Sequence, residues 1–160
     1  MAQNSKKDQI AQAALPLFLE HGIKGTSVDM VVKASGVSKP TVYNHFQDKS
    51  YLLAYVIDCW LQAQTTPAFQ ASTEKDLILE MDQHWLSAEA CRLYGLCLGE
   101  GERAPSAVQI FLEGYDQPWR AALEEQGRKL NLSTDWLQAS ASHRLLRRLT
   151  ARCTPYSEPH

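Results

Sequence analysis

The sequence predicts an all-α protein in which three short N-terminal helices form one unit and a shared fourth helix leads into a larger helical body. Three observations carry this reading. Apolar residues recur at helical spacing along most of the chain. Ser, Thr, Asp, Gly and Pro fall where such stretches should begin and end. No segment alternates apolar and polar residues as a half-buried strand would. At 160 residues, 44% hydrophobic and 21% charged, the chain is long enough to bury a core and too apolar to be disordered.

The first helix is expected over residues 5–21, with Ile10, Ala14, Leu17, Phe18 and His21 on one stripe and Gly22 as its stop. Pro16 should kink it, or the AQAALP segment should bend over the helices that follow. The stretch TSVDMVVKASGVSKPTVYNHFQDK, residues 26–49, then reads as two short helices around a tight turn. Thr26 is the expected N-cap, with Asp29 completing a capping box. Met30, Val31 and Ala34 supply the apolar face, and Gly36 takes the positive φ that ends the helix. Val37 fills the corner, Ser38 caps the next helix, and Pro40 sits in its first turn. That helix, residues 39–46, is too short and polar to stand alone. Val42 and Phe46 anchor its back, leaving Lys39, Thr41, Asn44 and His45 outward. A short helix held in this way suits insertion into a DNA major groove.

A fourth helix starts from Asp48, its cap, and runs to about residue 65. Leu52, with Tyr55 or Val56, should close the N-terminal core, while Cys59 and Trp60 enter a second one. Residues 65–67 and 71–73 read as loop. One continuous helix is expected over residues 75–97, with Leu77, Met81, Trp85 and Ala88 along one face. Gly95, Gly99 and Gly101 mark a break before Pro105. Another helix is expected over residues 106–130, bent near Pro118. A last one starts from Ser133 or Thr134 and runs to about 149, with Leu137, Ala141, Leu145 and Arg148 on one face. The tail, residues 151–160, reads as frayed or disordered.

The net charge of -2 hides an asymmetry: residues 1–50 carry six lysines against four acids, the remainder ten basic residues against fourteen acidic ones. A modestly basic head on an acidic body fits DNA binding at one end. No apolar run approaches the ~20 residues of a membrane span, and the N-terminus lacks an apolar signal core, so a cytoplasmic location is expected. Cys59, Cys91, Cys97 and Cys153 match no CxxC or zinc spacing and read as small buried hydrophobes, with Cys153 the most exposed. The glycine-rich GLCLGEGE lacks the GK[ST] of a phosphate loop, and Glu100 and Glu102 have no histidine at ligand spacing. No catalytic set, metal or cofactor is therefore expected.

Residues 6–55 resemble the N-terminal DNA-binding domain of the TetR/AcrR family of transcriptional repressors. The segments IAQAALPLFLEHG, GIKGTSVDM, GVSKPTVYNHF and DKSYLLAYV carry the resemblance, in that order. It implies a helix-turn-helix DNA-binding domain over residues 1–52 and a helical effector-binding and dimerisation domain over 53–150. By the same resemblance, Thr26 and Ser27 would offer hydroxyls and backbone N–H groups to a phosphate. Tyr43, His45 and Lys49 would grip phosphates, and Lys39, Pro40, Thr41 and Asn44 would face base edges. Trp60, Met81, His84, Trp85, Cys91, Tyr94 and Phe111 are candidates for lining a ligand pocket. Their spacing fits a packed core at least as well, and the pocket is implied by the resemblance.

The family pattern implies a homodimer on a palindromic operator in double-stranded DNA, released by a small-molecule effector. Family members usually continue into two long C-terminal helices that form the dimer interface. Here HRLLRRLTARCTPYSEPH reads as a helix that runs out, which leaves residues 106–130 as the alternative dimer face. The rival expectation is a helical interaction or small-molecule-binding module that uses the helix-turn-helix only for packing.

Overall fold

Most helices in this chain begin where a side chain takes up a backbone N–H that the helix start leaves unpaired. In the computed structural model, which describes residues 5–151, nine α-helices account for most of the described backbone. They are α1 (Lys6–Gly25), α2 (Val28–Ser35), α3 (Lys39–His45), α4 (Lys49–Gln62), α5 (Glu74–Glu80), α6 (Ala88–Glu100), α7 (Pro105–Phe111), α8 (Gln117–Lys129) and α9 (Thr134–Thr150). Ser5, Ser27, Ser38, Asp48, Thr73 and Ser133 each cap a helix by accepting a backbone N–H from the first turn. The chain divides into two compact units, one of residues up to 65 with Leu96–Asp116, the other of Thr66–Gly95 with the residues from 117 onward. No described helix is long and apolar enough to cross a membrane.

In the first unit α1 packs against α2, α3 and α4, and α4 also packs against α7. Ile10, Ala14, Phe18, Val31, Val42, Leu53 and Ile57 form its core. At its other end the Trp60 ring lies 4.9 Å from Tyr115 and 6.2 Å from Phe111, centroid to centroid. Pro16 does not break α1: the one non-helical residue inside it is Gly22, at φ 76° and ψ -179°. His21, expected on the buried stripe, is exposed, because Gly22 turns the chain and Ile23 is buried instead. The buried face of α2 is Val31 and Ser35, while Ala34 is exposed.

The second unit corrects the single helix expected over residues 75–97. After α5 the chain makes a π turn, Met81–Trp85, leaves helical geometry at Leu86, and restarts as α6. Leu77, Met81 and Trp85 are buried as their spacing requires, but Ala88 lies beyond the break and is exposed. The backbone N–H of Ala90 donates to Ser87 Oγ at 3.2 Å, which caps the restart. Gly95 and Gly99 lie inside α6, and the expected break comes later, at the 3-10 turn Gly101–Arg103.

The bend expected near Pro118 is a π turn, Leu112–Asp116, immediately before α8. Within the second unit Trp119 meets Phe69 edge-on at 5.2 Å and stacks with Trp85 at 6.4 Å. Gln126 Nε2 donates to the Ala71 carbonyl at 2.6 Å, tying the 66–73 loop to α8. Cys153 and most of the expected tail lie outside the described residues.

Candidate nucleic-acid interface

The helix pair expected to read DNA is built by caps at both ends of a glycine turn. Ser27 is the N-cap of α2: its Oγ accepts from the Met30 N–H at 3.1 Å. This corrects the expectation of a cap at Thr26. Thr26 is fully buried, and its hydroxyl lies 2.7 Å from the Gly22 carbonyl and 3.1 Å from that of Leu17. Its side chain therefore secures the entry to α2 and is not presented to solvent. Gly36 ends α2 at φ 70°, and the Val37 N–H donates to Ser35 Oγ at 3.2 Å inside the turn. Ser38 caps α3, accepting from the Thr41 N–H at 3.4 Å, with its Oγ 2.8 Å from Thr41 Oγ1.

Val42 and Phe46 are buried behind α3, and Lys39, Pro40, Tyr43 and Asn44 are exposed in front of it. Thr41 and His45 are half-buried at its flanks. Lys39 Nζ lies 2.9 Å from Asp29 Oδ1, a pair that links α2 to α3. Both side chains are more than half exposed, so the pair adds little stability. The hydrogen bond that Lys39 donates to Asp29, and then the charge of Asp29, raise the pKa of the Lys39 ammonium above its ordinary value and keep it cationic. Lys49 Nζ is half-turned inward, donating to the Ile23 carbonyl at 2.9 Å.

Two supporting residues were not expected. Lys7 Nζ sits over three rings, 4.4 Å from the centroid of Tyr55, 5.4 Å from Tyr51 and 5.6 Å from Phe46, the C-cap residue of α3. The lysine pair opening α1 was the available signal, but its aromatic partners lie about forty residues on. The Glu100 carboxylate accepts from the Ile23 N–H at 2.8 Å and the Lys24 N–H at 3.0 Å, bridging the Gly22 break. Burial pushes this carboxyl up, but the two N–H donors, with Arg103 and Lys49 nearby, outweigh it and hold the pKa below its ordinary value.

The residues proposed to line a pocket divide between the two units. Trp60 and Phe111 pack together in the first. Met81, Trp85 and Tyr94 are buried in the second, where Trp85 Nε1 donates to the Tyr94 hydroxyl at 3.0 Å. Cys91 is buried there too, whereas His84 is exposed. Burial pushes the Cys97 thiol up to about 11 and raises that of Cys59, so both are neutral thiols near pH 7. Among the described residues, no three His, Cys, Asp or Glu side chains come together to hold a metal ion.

Comparison with known proteins agrees with this geometry. The family model for bacterial regulatory proteins of the tetR family matches residues 10–56, which run from α1 into α4. The HTH-type transcriptional regulator AcrR of Shigella flexneri is 36% identical over 141 residues, covering 73% of this chain and 65% of that protein. Among solved structures, a TetR-family transcriptional regulator from Mesorhizobium loti superposes with a TM-score of 0.65 at 24% identity, covering 97% of this chain and 87% of that one. FadR from Bacillus subtilis, solved in complex with stearoyl-CoA, gives a TM-score of 0.61 at 17% identity, covering 91% and 86%. The two structural likenesses extend the all-helical fold over nearly the whole chain. The chain spans 65% of the length of that AcrR regulator, and the motif match in α1–α4 leads to one conclusion: residues 10–56 are a DNA-binding domain of the tetR family of bacterial regulatory proteins.

Proposed function

We propose that this chain is a ligand-responsive transcriptional repressor that binds a palindromic operator through residues 1–52 and is released by a small molecule held in residues 53–150. The observation that carries the reading is α3: a seven-residue helix anchored from behind by Val42 and Phe46, with Lys39, Pro40, Tyr43 and Asn44 exposed in front. Lys39 can exchange Asp29 for the N7 and O6 acceptors of guanine, and Asn44 can pair with adenine. Pro40 and the methyl group of Thr41 can meet a thymine methyl. Ser27 at the start of α2, with Tyr43, His45 and Lys49, would hold phosphates, and Thr26 would position Ser27. Operator binding by a homodimer places one such head on each half-site. The stearoyl-CoA bound by FadR, a neighbour in fold, supports a small-molecule effector. Either Trp60 with Phe111 in the first unit, or Met81, Trp85 and Tyr94 with His84 in the second, would supply the residues of such a site. Release follows if the effector binds the DNA-incompetent state more tightly.

The test is fluorescence anisotropy with DNA from upstream of the gene and with scrambled DNA, at two salt concentrations. A working repressor should prefer the native DNA by ~1000-fold or more and lose affinity steeply with salt. Asn44→Ala should relax sequence preference, costing ~1–3 kcal/mol on the native site. Absence of binding at low salt would overturn the reading and leave a helical binding module.

A further inference from the structure

The second unit carries a basic cleft that the DNA-binding reading does not use. Arg144, Arg147 and Arg148 stand at i, i+3 and i+4 on α9 and share one face. With Asp82 of the π turn and Ala151 they line a cavity of about 280 Å³. A second cavity of about 330 Å³ shares Arg148 and Ala151 and is completed by Arg92, Ala88 and Cys91 of α6. Three arginines of α9 thus stand about one carboxylate, and a fourth, Arg92, lines the cavity that shares Arg148 and Ala151 with it.

That carboxylate is largely committed to one of them. Arg144 grips Asp82 with both arms of its fork, Nε reaching Oδ1 at 2.9 Å and Nη2 bonding Oδ2. Arg148 Nη2 stands 3.7 Å from Oδ1. Arg92 and Arg147 form no ion pair among the described residues. Like charges at helical spacing repel, so this cluster costs stability in the absence of an anion. Proximity to the C-terminal end of α9 accounts for Arg147 and Arg148, which the helix dipole favours there. It does not account for Arg92, which comes from another helix.

We infer that this cleft is a binding site for a small organic anion, with a phosphate or carboxylate head between Arg92, Arg147 and Arg148 and a short apolar body against Ala88, Cys91 and Ala151. The two volumes fall at the lower end of the small-molecule range and are far too small for a macromolecule. Arginine forks suit planar carboxylates and phosphates alike. Asp82 is the counterweight: it holds Arg144 in place and excludes a second negative charge from the inner end of the cleft.

Calorimetric titration of the full chain with hexyl phosphate, hexanoate, inorganic phosphate and hexanol tests this. One molar equivalent of a hexyl anion should bind at least about tenfold more tightly than inorganic phosphate, with hexanol silent. Either hexyl anion bound in this way supports the site, and the tighter one identifies the head group. Arg148→Gln, which touches both cavities and leaves the Arg144–Asp82 pair intact, should weaken binding about tenfold or more. Asp82→Asn should tighten it several-fold, an effect that a purely structural role for the cluster would not produce. Arg128→Gln, on α8 and paired with Glu125, should change nothing. A thermal melt of each variant reports whether it is folded. Should Arg148→Gln fold and bind as the native chain does, or should hexyl phosphate bind no better than phosphate, the inference is overturned. Several weak equivalents insensitive to Arg148→Gln would equally overturn it.

Discussion

Gly22 and Gly36 both adopt positive φ, 76° and 70°, yet they meet different surroundings. A Cβ at Gly36 would have no heavy atom within 4 Å, whereas one at Gly22 would lie 2.3 Å from Glu100 Oε2. Gly36→Ala should therefore cost only the backbone strain of a left-handed residue, ~1–2 kcal/mol. Gly22→Ala should cost at least ~1 kcal/mol more, because it also displaces the carboxylate from the Ile23 and Lys24 N–H groups. In a Glu100→Ala background the part of that excess due to the carboxylate should vanish, leaving the strain of a φ, ψ region essentially confined to glycine, and urea denaturation of the four chains of this cycle measures it. An equal cost for Gly22→Ala in both backgrounds would mean that Glu100 is not what confines Gly22. Both glycines were legible as helix stops in the sequence. Glu100 as the partner of Gly22 was not, since it lies 77 residues from the N–H it binds. The cap falls at Ser27 and not at Thr26 for a similarly nonlocal reason. Thr26 and Ser27 are both good caps, and the choice is made by the burial of the Thr26 hydroxyl against carbonyls four and nine residues back.

The Gly36 stop of α2 and the Ser38 cap of α3, with Val42 behind it, stand where the sequence places them. The stretch over residues 75–97 departs from its expected single helix. Leu77, Met81 and Trp85 keep helical spacing up to the π turn, and the break depends on Leu86, which is fully buried. Burying Leu86 is a tertiary demand that local spacing does not encode, although Ser87 was available as a restart signal. Contact between α8 and α9 depends on a similarly nonlocal fit. A Cβ on Gly127 would lie 2.2 Å from Leu137 Cδ1, and Leu137 is 1% exposed, with little room to move. Gly127→Ala gains up to ~1 kcal/mol of helix propensity but forces overpacking worth ~1–3 kcal/mol. The net effect should be a lower denaturation midpoint. Gly127→Ala should also reduce the cost of Leu137→Ala, since the smaller residue relieves the clash. A midpoint raised by Gly127→Ala would show that the two helices can separate freely at this point.

At the scale of the whole molecule, the acidic balance of the chain makes stability depend on which carboxyls are held ionised. The Arg144 guanidinium, assisted by Arg148 and Arg147, holds Asp82 below its ordinary value against the opposing effect of burial. Glu100, in the other unit, is also held below its ordinary value. In the unfolded chain these groups take up protons near pH 4, where the folded chain still keeps them charged. Their contribution is therefore fully present above that range and is lost as the pH falls through the lower folded values. Acid titration followed by circular dichroism should show stability falling below about pH 4. Asp82→Asn removes the charge from the bidentate pair, and at neutral pH it should cost ~1–2 kcal/mol, between the values for exposed and buried pairs. It should also flatten the acid limb, because the lost contribution no longer depends on protonation. Glu100→Gln should flatten the limb in the same direction while leaving the Asp82–Arg144 pair intact. Acid limbs of unchanged slope in both variants would mean that other carboxyls govern the acid transition, with these two ion-stabilised sites contributing nothing to it.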